Sequence, residues 1–192
     1  MGSRIPACCS AAALLLAGAS CSGSSTAPSP GTPLVVVKGQ VIDYLSNAGV
    51  PAANVRLGDY RAVTDQAGGF ILTIPPGGYP VTADGEIFNA LVYGVSYRGD
   101  FLVHAGGCTA FSGVVMDART YGPVRNAAVH AGKTKLTEAD GWYRIDVNCG
   151  KFGIGTTFMT VSHPAYQDYS RLLGRAEAIA GLYRVDLLLE PR

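Results

Sequence analysis

Apolar and polar residues alternate in short runs along much of the chain. In residues 70–74 (FILTI) and 143–147 (YRIDV) every second position carries a large apolar side chain, namely Phe70, Leu72 and Ile74 in the first run and Tyr143, Ile145 and Val147 in the second. A period of two places each set on one face of a β-strand. Clusters of Gly, Pro, Asn and Asp separate such runs about every ten residues, a spacing typical of a sandwich or barrel. The pattern therefore predicts an all-β protein.

The same pattern occurs twice. Six residue pairs share an offset of 74, and three further pairs share an offset of 73 after a one-residue slip. The pairs are Gly39/Gly113, Val41/Val115, Asp43/Asp117, Ala53/Ala127, Val55/Val129 and Gly58/Gly132, then Thr64/Thr137, Gly68/Gly141 and Phe70/Tyr143. A single slip over about forty residues indicates a tandem duplication. We call residues 34–106 the first repeat and residues 107–192 the second repeat.

An export signal precedes the repeats. Residues 1–21 combine Arg4, an apolar run and small residues, and this segment is too short to span a membrane. Residues 18–21 (GASC) resemble a bacterial lipobox, which implies lipidation of Cys21 and an anchor at the outer membrane or cell surface. The alternative is ordinary cleavage after Ala19 and release of the protein. Residues 22–33, rich in Ser and Pro, are predicted to be a disordered linker.

Charge and cysteines limit the remaining possibilities. The 15 basic and 14 acidic residues nearly balance, so the sequence predicts no nucleic-acid partner. Cys108 and Cys149 are the only cysteines after the signal, and an exported pair without metal-type spacing favours a disulfide. Closing a loop of about 40 residues would stabilise the fold by roughly 4 kcal/mol in the chain-entropy model. Two separate buried thiols are the alternative.

The order of motifs in the first repeat resembles the carboxypeptidase regulatory-like domain, and the second repeat carries the pattern from Gly113 to Tyr143 but has Asn148-Cys149-Gly150 in place of the usual Pro-Pro-Gly. The motifs are Gly-x-Val-x-Asp, Pro-x-Ala-x-Val, Thr-x-x-x-Gly-x-Phe and a Pro-Gly-Tyr group. In the first repeat they comprise Gly39, Val41, Asp43, Pro51, Ala53, Val55, Thr64, Gly68, Phe70, Pro76, Gly78 and Tyr79. The resemblance implies two tandem transthyretin-like Greek-key β-sandwiches and a non-catalytic role, as in a family of appendages to metallocarboxypeptidases.

The sequence contains no recognisable catalytic, metal or cofactor motif. His104, His130 and His163 lie in separate contexts, without a His-Glu-x-x-His or a close-set pair. Hydroxyisourate hydrolases share the transthyretin-like fold, but Gln40 stands where those enzymes have their opening histidine. We therefore expect no enzyme activity and no cofactor. The alternative is a hydrolase whose site assembles from dispersed His and Asp residues.

Two side chains are candidate ligand contacts. If Tyr143 faces the core, alternation directs Trp142 and Arg144 outward, where an exposed Trp beside an Arg could stack on a sugar or anchor a protein. The alternative is that Trp142 covers the edge of its own core or the joint between the repeats. Residues 98–100 spell the adhesion tripeptide Arg-Gly-Asp, whose residues are also common in hairpin turns.

Taken together, these features predict a non-catalytic cell-surface lipoprotein. It would act as a binding or spacer module for a protein or glycan partner, held at the membrane by its N-terminal lipid.

Overall fold

The computed structural model describes residues 33–149, 157–173 and 181–192. The signal with Cys21 and nearly all of the linker lie outside these residues, so the expectations about them remain predictions. Sixteen β-strands account for the regular structure of the described part. None of its residues forms a helix long and apolar enough to cross a membrane.

Eight strands build the first repeat. They are β1 (Val35–Asp43), β2 (Asn54–Leu57), β3 (Tyr60–Val63), β4 (Gly69–Ile74), β5 (Gly77–Ala83), β6 (Glu86–Val92), β7 (Ser96–Arg98) and β8 (Phe101–Val103). One sheet has the order β3-β2-β5-β6, and the other has the order β4-β1-β7 with β8 also paired to β1. Strands β7 and β8 both run parallel to β1, one after the other.

The second repeat has the same plan. Its strands are β9 (Cys108–Asp117), β10 (Ala128–Ala131), β11 (Lys133–Leu136), β12 (Trp142–Cys149), β13 (Thr157–Ser162), β14 (Tyr169–Leu173), β15 (Gly181–Arg184) and β16 (Leu187–Leu189). The sheets have the orders β11-β10-β13-β14 and β12-β9-β15, with β16 also paired to β9. Every strand of the first repeat thus has a counterpart in the second, and the all-β sandwich prediction is confirmed.

The shared glycines Gly39 and Gly113 lie where two backbones meet. A Cβ on Gly39 would approach the carbonyl oxygen of Gly99 to 2.2 Å, and one on Gly113 would approach that of Val185 to 2.1 Å. Both contacts occur at the gap between the two short parallel strands. Side chains are excluded there, which explains why both copies retain glycine.

The shared threonines each join two loops inside the fold. The Thr64 hydroxyl donates to the Val50 carbonyl (2.6 Å) and accepts from the Ala53 N–H (2.8 Å). Thr137 makes the equivalent bonds at 2.6 and 2.9 Å. Both hydroxyls are buried, and the hydrogen bonds that each makes offset the cost of removing it from water. The repeat visible in the sequence is therefore a repeat of structural roles.

The alternation predicted for β4 and β12 is confirmed. Phe70 and Ile74 are buried while Ile71 between them is 60% exposed, and Tyr143 and Ile145 are buried in the second repeat. Strand β9 differs from its counterpart β1. Nine of its ten residues are buried, on both faces, whereas the exposed and buried positions of β1 mostly alternate. A second layer therefore covers the outer face of β9.

The predicted disulfide is present. Cys108 and Cys149 face each other across the paired strands β9 and β12, and their sulfur atoms are bonded. The bond closes a separation of 41 residues. It fixes the far end of β12 to the central strand of its sheet.

Candidate functional site

In each repeat a Tyr-Arg-x-Asp sequence begins in the first of the two short parallel strands and ends in the gap before the second. It comprises residues 97–100 in the first repeat and 183–186 in the second. Asp100 accepts a hydrogen bond from the backbone N–H of Gln40 at 2.9 Å, and Asp186 accepts one from Val114 at 3.1 Å. Each carboxylate thus satisfies a donor of the central strand where the parallel pairing is interrupted.

This arrangement accounts for the Arg-Gly-Asp tripeptide. Arg98 forms an ion pair with Asp100 at 2.7 Å, and the Asp100 side chain is only 8% exposed. The tripeptide joins β7 to β8, both of which run alongside β1, so its role is structural but it does not form a hairpin turn. Its charged groups are engaged with each other and with the protein backbone.

The equivalent pair in the second repeat lies between the repeats. The side chains of Arg184 and Asp186 are each 1% exposed and are 3.3 Å apart. Arg184 donates to the Tyr97 hydroxyl at 2.6 Å and to the backbone oxygen of Arg98 at 2.8 Å. Asp186 accepts from the backbone N–H of Leu91 at 2.8 Å. The second repeat thereby binds the first through buried charges whose hydrogen bonds are made.

Tyr97 connects the two members of the pair. Its hydroxyl donates to Asp186 at 2.5 Å while accepting from Arg184. Burial raises the pKa of Tyr97 well above its ordinary value of 10.0, so this hydroxyl keeps its proton. The resulting network joins both repeats without an unsatisfied charge, as a buried ion pair requires.

Trp142 belongs to the same joint. Alternation correctly directs it away from Tyr143, but the first repeat covers that face and leaves the indole 4% exposed. With Val114 and Met116 it extends the apolar core of the first repeat. The guanidinium groups of Arg98 and Arg184 lie 4.8 and 5.4 Å from its ring. The exposed stacking surface expected at Trp142 is therefore absent, and the alternative location in the joint is the one found.

Arg144, the other candidate ligand contact, also bridges the repeats. It donates to the Asn47 side chain at 2.8 Å and lies 5.0 Å from the ring centre of Tyr44. It also pairs with Asp146 at 2.9 Å and is 23% exposed. From the first repeat, Arg98 reaches Glu138 at 2.9 Å and Asp140 at 3.1 Å in the second. Arginines of both repeats thus fasten the rim of the joint.

An open cleft of about 890 Å³ lies beside the joint. Its floor is the outer face of the β4-β1-β7 sheet, including Lys38, Gln40 and Ile71, and the second repeat contributes Tyr121 and Pro123. Among the residues that the structure describes, no carboxylate lies within ion-pair distance of Lys38. The cleft therefore offers a free cation next to apolar surface.

The three histidines contact different partners. His130 contacts Thr134 at 3.0 Å, and His163 contacts the Ala165 N–H at 3.2 Å. His104 does meet carboxylates, with Nδ1 2.8 Å from Asp43 and Nε2 3.1 Å from Asp84. Because acidic side chains occupy both ring nitrogens, neither is left to accept a proton from a substrate. Within the described residues, no group of His, Cys, Asp and Glu could hold a metal ion.

Arg184, Asp186 and Tyr97 belong to none of the candidate sites that the sequence predicts. A signal for them was present, because residues 97–103 (YRGDFLV) and 183–189 (YRVDLLL) match at a third offset, 86. A change of loop length before this block separates it from the earlier matches.

Comparison with protein-family models found no match, and comparison with curated proteins found none. Among solved structures, a streptococcal ancillary pilin is 13% identical with a TM-score of 0.33, covering 84% of this chain and 63% of that chain. The Bacillus anthracis TIE protein is 13% identical with a TM-score of 0.31, covering 82% and 34%. The shaft pilin SpaA from Lactobacillus rhamnosus GG is 12% identical with a TM-score of 0.27, covering 84% and 98%. This chain spans less than two thirds of the length of the first two proteins.

Proposed function

We propose that the chain is a non-catalytic module of the cell envelope that presents a binding surface on two rigidly joined β-sandwiches. In this proposal Cys21 carries the lipid anchor, the linker of residues 22–33 separates the repeats from the membrane, and each repeat is a carboxypeptidase regulatory-like domain. The protein is then a spacer whose exposed cleft takes a protein or glycan partner.

The buried contact between the two repeats is the main support for this proposal. Domains that share only a small, polar interface move relative to each other. Here, in contrast, the apolar side chains of Trp142, Val114 and Met116 are buried against the first repeat. Breaking the joint would also expose the Arg184–Asp186 pair, whose hydrogen bonds to the first repeat would be lost. Both costs favour one fixed arrangement of the repeats, which suits a spacer.

The histidine geometry favours this role over a hydrolase. Asp43 and Asp84 hold the His104 ring through both nitrogens. A general base needs a free ring nitrogen within reach of the substrate proton. His104 thus links two turns through Asp43 and Asp84, and we call this arrangement the clamp.

Distance measurement between spin labels tests the fixed joint. Labels on Ile87→Cys in the first repeat and Leu136→Cys in the second replace side chains that are 79% and 55% exposed. In the Cys21→Ser background, we expect one narrow distance distribution. Arg184→Met should broaden it, while the matched Arg192→Met, at an arginine 56% exposed, should not. A broad distribution in the unaltered joint would contradict the proposal.

The anchor and the partner need separate tests. Mass spectrometry of the mature N-terminus should find an acylated Cys21, and an unmodified start at Ser20 would refute the anchor. A pull-down screen with glycans and cell-envelope proteins should yield a partner whose binding weakens in Lys38→Glu. If nothing binds, the chain is a spacer without a binding role.

A further inference from the structure

Strand β4 lies at the edge of its sheet and has no charged side chain. Natural proteins protect exposed edges with charges, because an uncovered edge pairs with other chains. Every other described edge strand of four or more residues carries at least one charge. These charges are Arg61 in β3, Glu86 in β6, Lys133 in β11, Arg144 in β12, Arg171 in β14 and Arg184 in β15, the last of which is buried in the joint.

The hydrogen-bond pattern shows which groups of β4 face outward. The Val41 N–H donates to Gly68 on the β4 side, whereas the Lys38 carbonyl accepts from Gly99 on the opposite side. Odd-numbered residues of β1 therefore bond to their partners in β4, which are Phe70, Leu72 and Ile74. The backbone groups of Ile71 and Thr73 consequently point away from the sheet, and within the described part β4 pairs with β1 alone.

The second repeat shows how the same edge is protected. The counterparts of Ile71 and Thr73 in β12 are Arg144 and Asp146, which form an ion pair. Lys133 also donates to the Asp146 backbone oxygen at 2.7 Å, so that outward acceptor is occupied. The first repeat has Tyr60 in place of this lysine. The duplicated strand thus lost its protection in one copy, or gained it in the other.

We propose that β4 pairs with β4 of a second copy of this chain, in an antiparallel two-fold arrangement centred on Leu72. In this register Ile71 of one copy lies opposite Thr73 of the other, in hydrogen-bonded pairs on both sides of the axis. Both N–H and both C=O groups of each copy then find partners. The β4-β1-β7 sheets of the two copies become one continuous sheet.

The positions of the free backbone groups in β4 favour a second copy of the same strand as its partner. Shifting the axis to Ile71 would require the Gly69 carbonyl, which already accepts from the Asp65 N–H at 2.9 Å. Shifting it to Thr73 would place Pro75, which has no N–H, opposite Ile71. Only the register centred on Leu72 pairs all of the free groups. It also places the two half-buried Leu72 side chains against each other.

Charge substitutions in β4 test both the pairing and its register. We expect the exported chain, prepared as Cys21→Ser so that acyl chains cannot drive association, to form a reversible dimer in sedimentation equilibrium. Ile71→Lys/Thr73→Lys places like charges opposite each other and should raise the dissociation constant at least about tenfold. Ile71→Lys/Thr73→Glu places opposite charges in the same pairs and should retain the dimer.

Ile87→Lys is the matched control on another edge strand. Ile87 is more exposed than Ile71, so its replacement should leave the dimer intact. Thermal unfolding of each variant verifies that the fold survives. A monomeric parent chain would overturn the proposal and leave β4 to a strand of some other protein. Loss of the dimer in Ile71→Lys/Thr73→Glu, or its survival in Ile71→Lys/Thr73→Lys, would overturn it as well. None of these outcomes depends on the fixed joint, which the spin labels test.

Discussion

Asp100 and Asp186 occupy the same position in the two repeats, and each accepts a hydrogen bond from the backbone of the central strand beside it. Their further partners differ. Asp100 pairs with Arg98 at the rim of the joint, whereas Asp186 is buried with Arg184 inside it. One element of a duplicated fold thus serves local structure in one copy and assembly of the whole chain in the other.

Removing the buried carboxylate should weaken the protein strongly. Asp186→Ala leaves Arg184 charged and 1% exposed without its ion-pair partner. We expect the free energy of unfolding to fall by about 3–5 kcal/mol in urea titration. Asp168→Ala is the control, because Asp168 is 72% exposed in its pair with Arg192, and its cost should stay below about 1 kcal/mol. Equal effects of the two substitutions would contradict the role of the joint.

The repeats should unfold together. Trp142 is the only tryptophan and lies in the joint, so its fluorescence reports on that contact. We expect its emission to shift to longer wavelength in the same urea transition that circular dichroism detects. Trp142→Ala should lower the free energy of unfolding by about 3–5 kcal/mol. An earlier fluorescence transition would show that the joint opens before the sandwiches unfold.

Glycine at the gap between parallel strands should be indispensable. The added Cβ in Gly113→Ala would lie 2.1 Å from a backbone oxygen, and relieving that contact requires the strands to separate. We expect a cost of about 3 kcal/mol or more in thermal or urea unfolding. Gly78→Ala places its Cβ 3.6 Å from a Leu91 methyl group, which is ordinary contact, and should cost much less.

The disulfide should contribute through the unfolded chain. Reduction, or Cys108→Ala/Cys149→Ala, opens the 41-residue loop. The chain-entropy model expects stability to fall by roughly 4 kcal/mol. Urea titration with and without reductant measures the loss in the parent protein. The double alanine variant should be insensitive to reductant, which separates this effect from any other action of the reagent.

Stability should also depend on the protonation of His104. Its hydrogen bond to Asp43 raises the pKa of His104 above 6.5. The stability that protonated His104 contributes is therefore fully present below pH 6.5 and is lost as pH rises through the folded-state pKa of this residue. Hydrogen bonds from Ser46 and His104 lower the pKa of Asp43 from 3.8 to about 2. The stability that the Asp43 carboxylate contributes is therefore lost as pH falls through that range.

Nuclear magnetic resonance can follow the imidazole directly. We expect His104 to titrate with a midpoint above 6.5, and Asp43→Asn to lower that midpoint. The stability difference between the parent chain and His104→Gln should shrink as pH rises above the folded-state pKa. A midpoint at or below 6.5 would show that the clamp does not form in solution.

The sequence predicted the duplication and the strands because local alternation determines them. It left the burial of Trp142 as one of two alternatives, since the covering surface comes from residues more than forty positions away. Strand β9 did contain a hint. Its residues 114–116 (VVM) are apolar on both faces, whereas β1 has Lys38 and Gln40 on its outer face. Loss of alternation in one copy of a repeat indicates a second covered face.

The two repeats contribute different surfaces to the joint between them. The second repeat contributes the outer face of its β12-β9-β15 sheet, whereas the first contributes Leu91, Tyr97 and the turn around Asn47. The two contacting surfaces are therefore unlike. Without the first repeat, Val114, Met116 and Trp142 of the second repeat would face water.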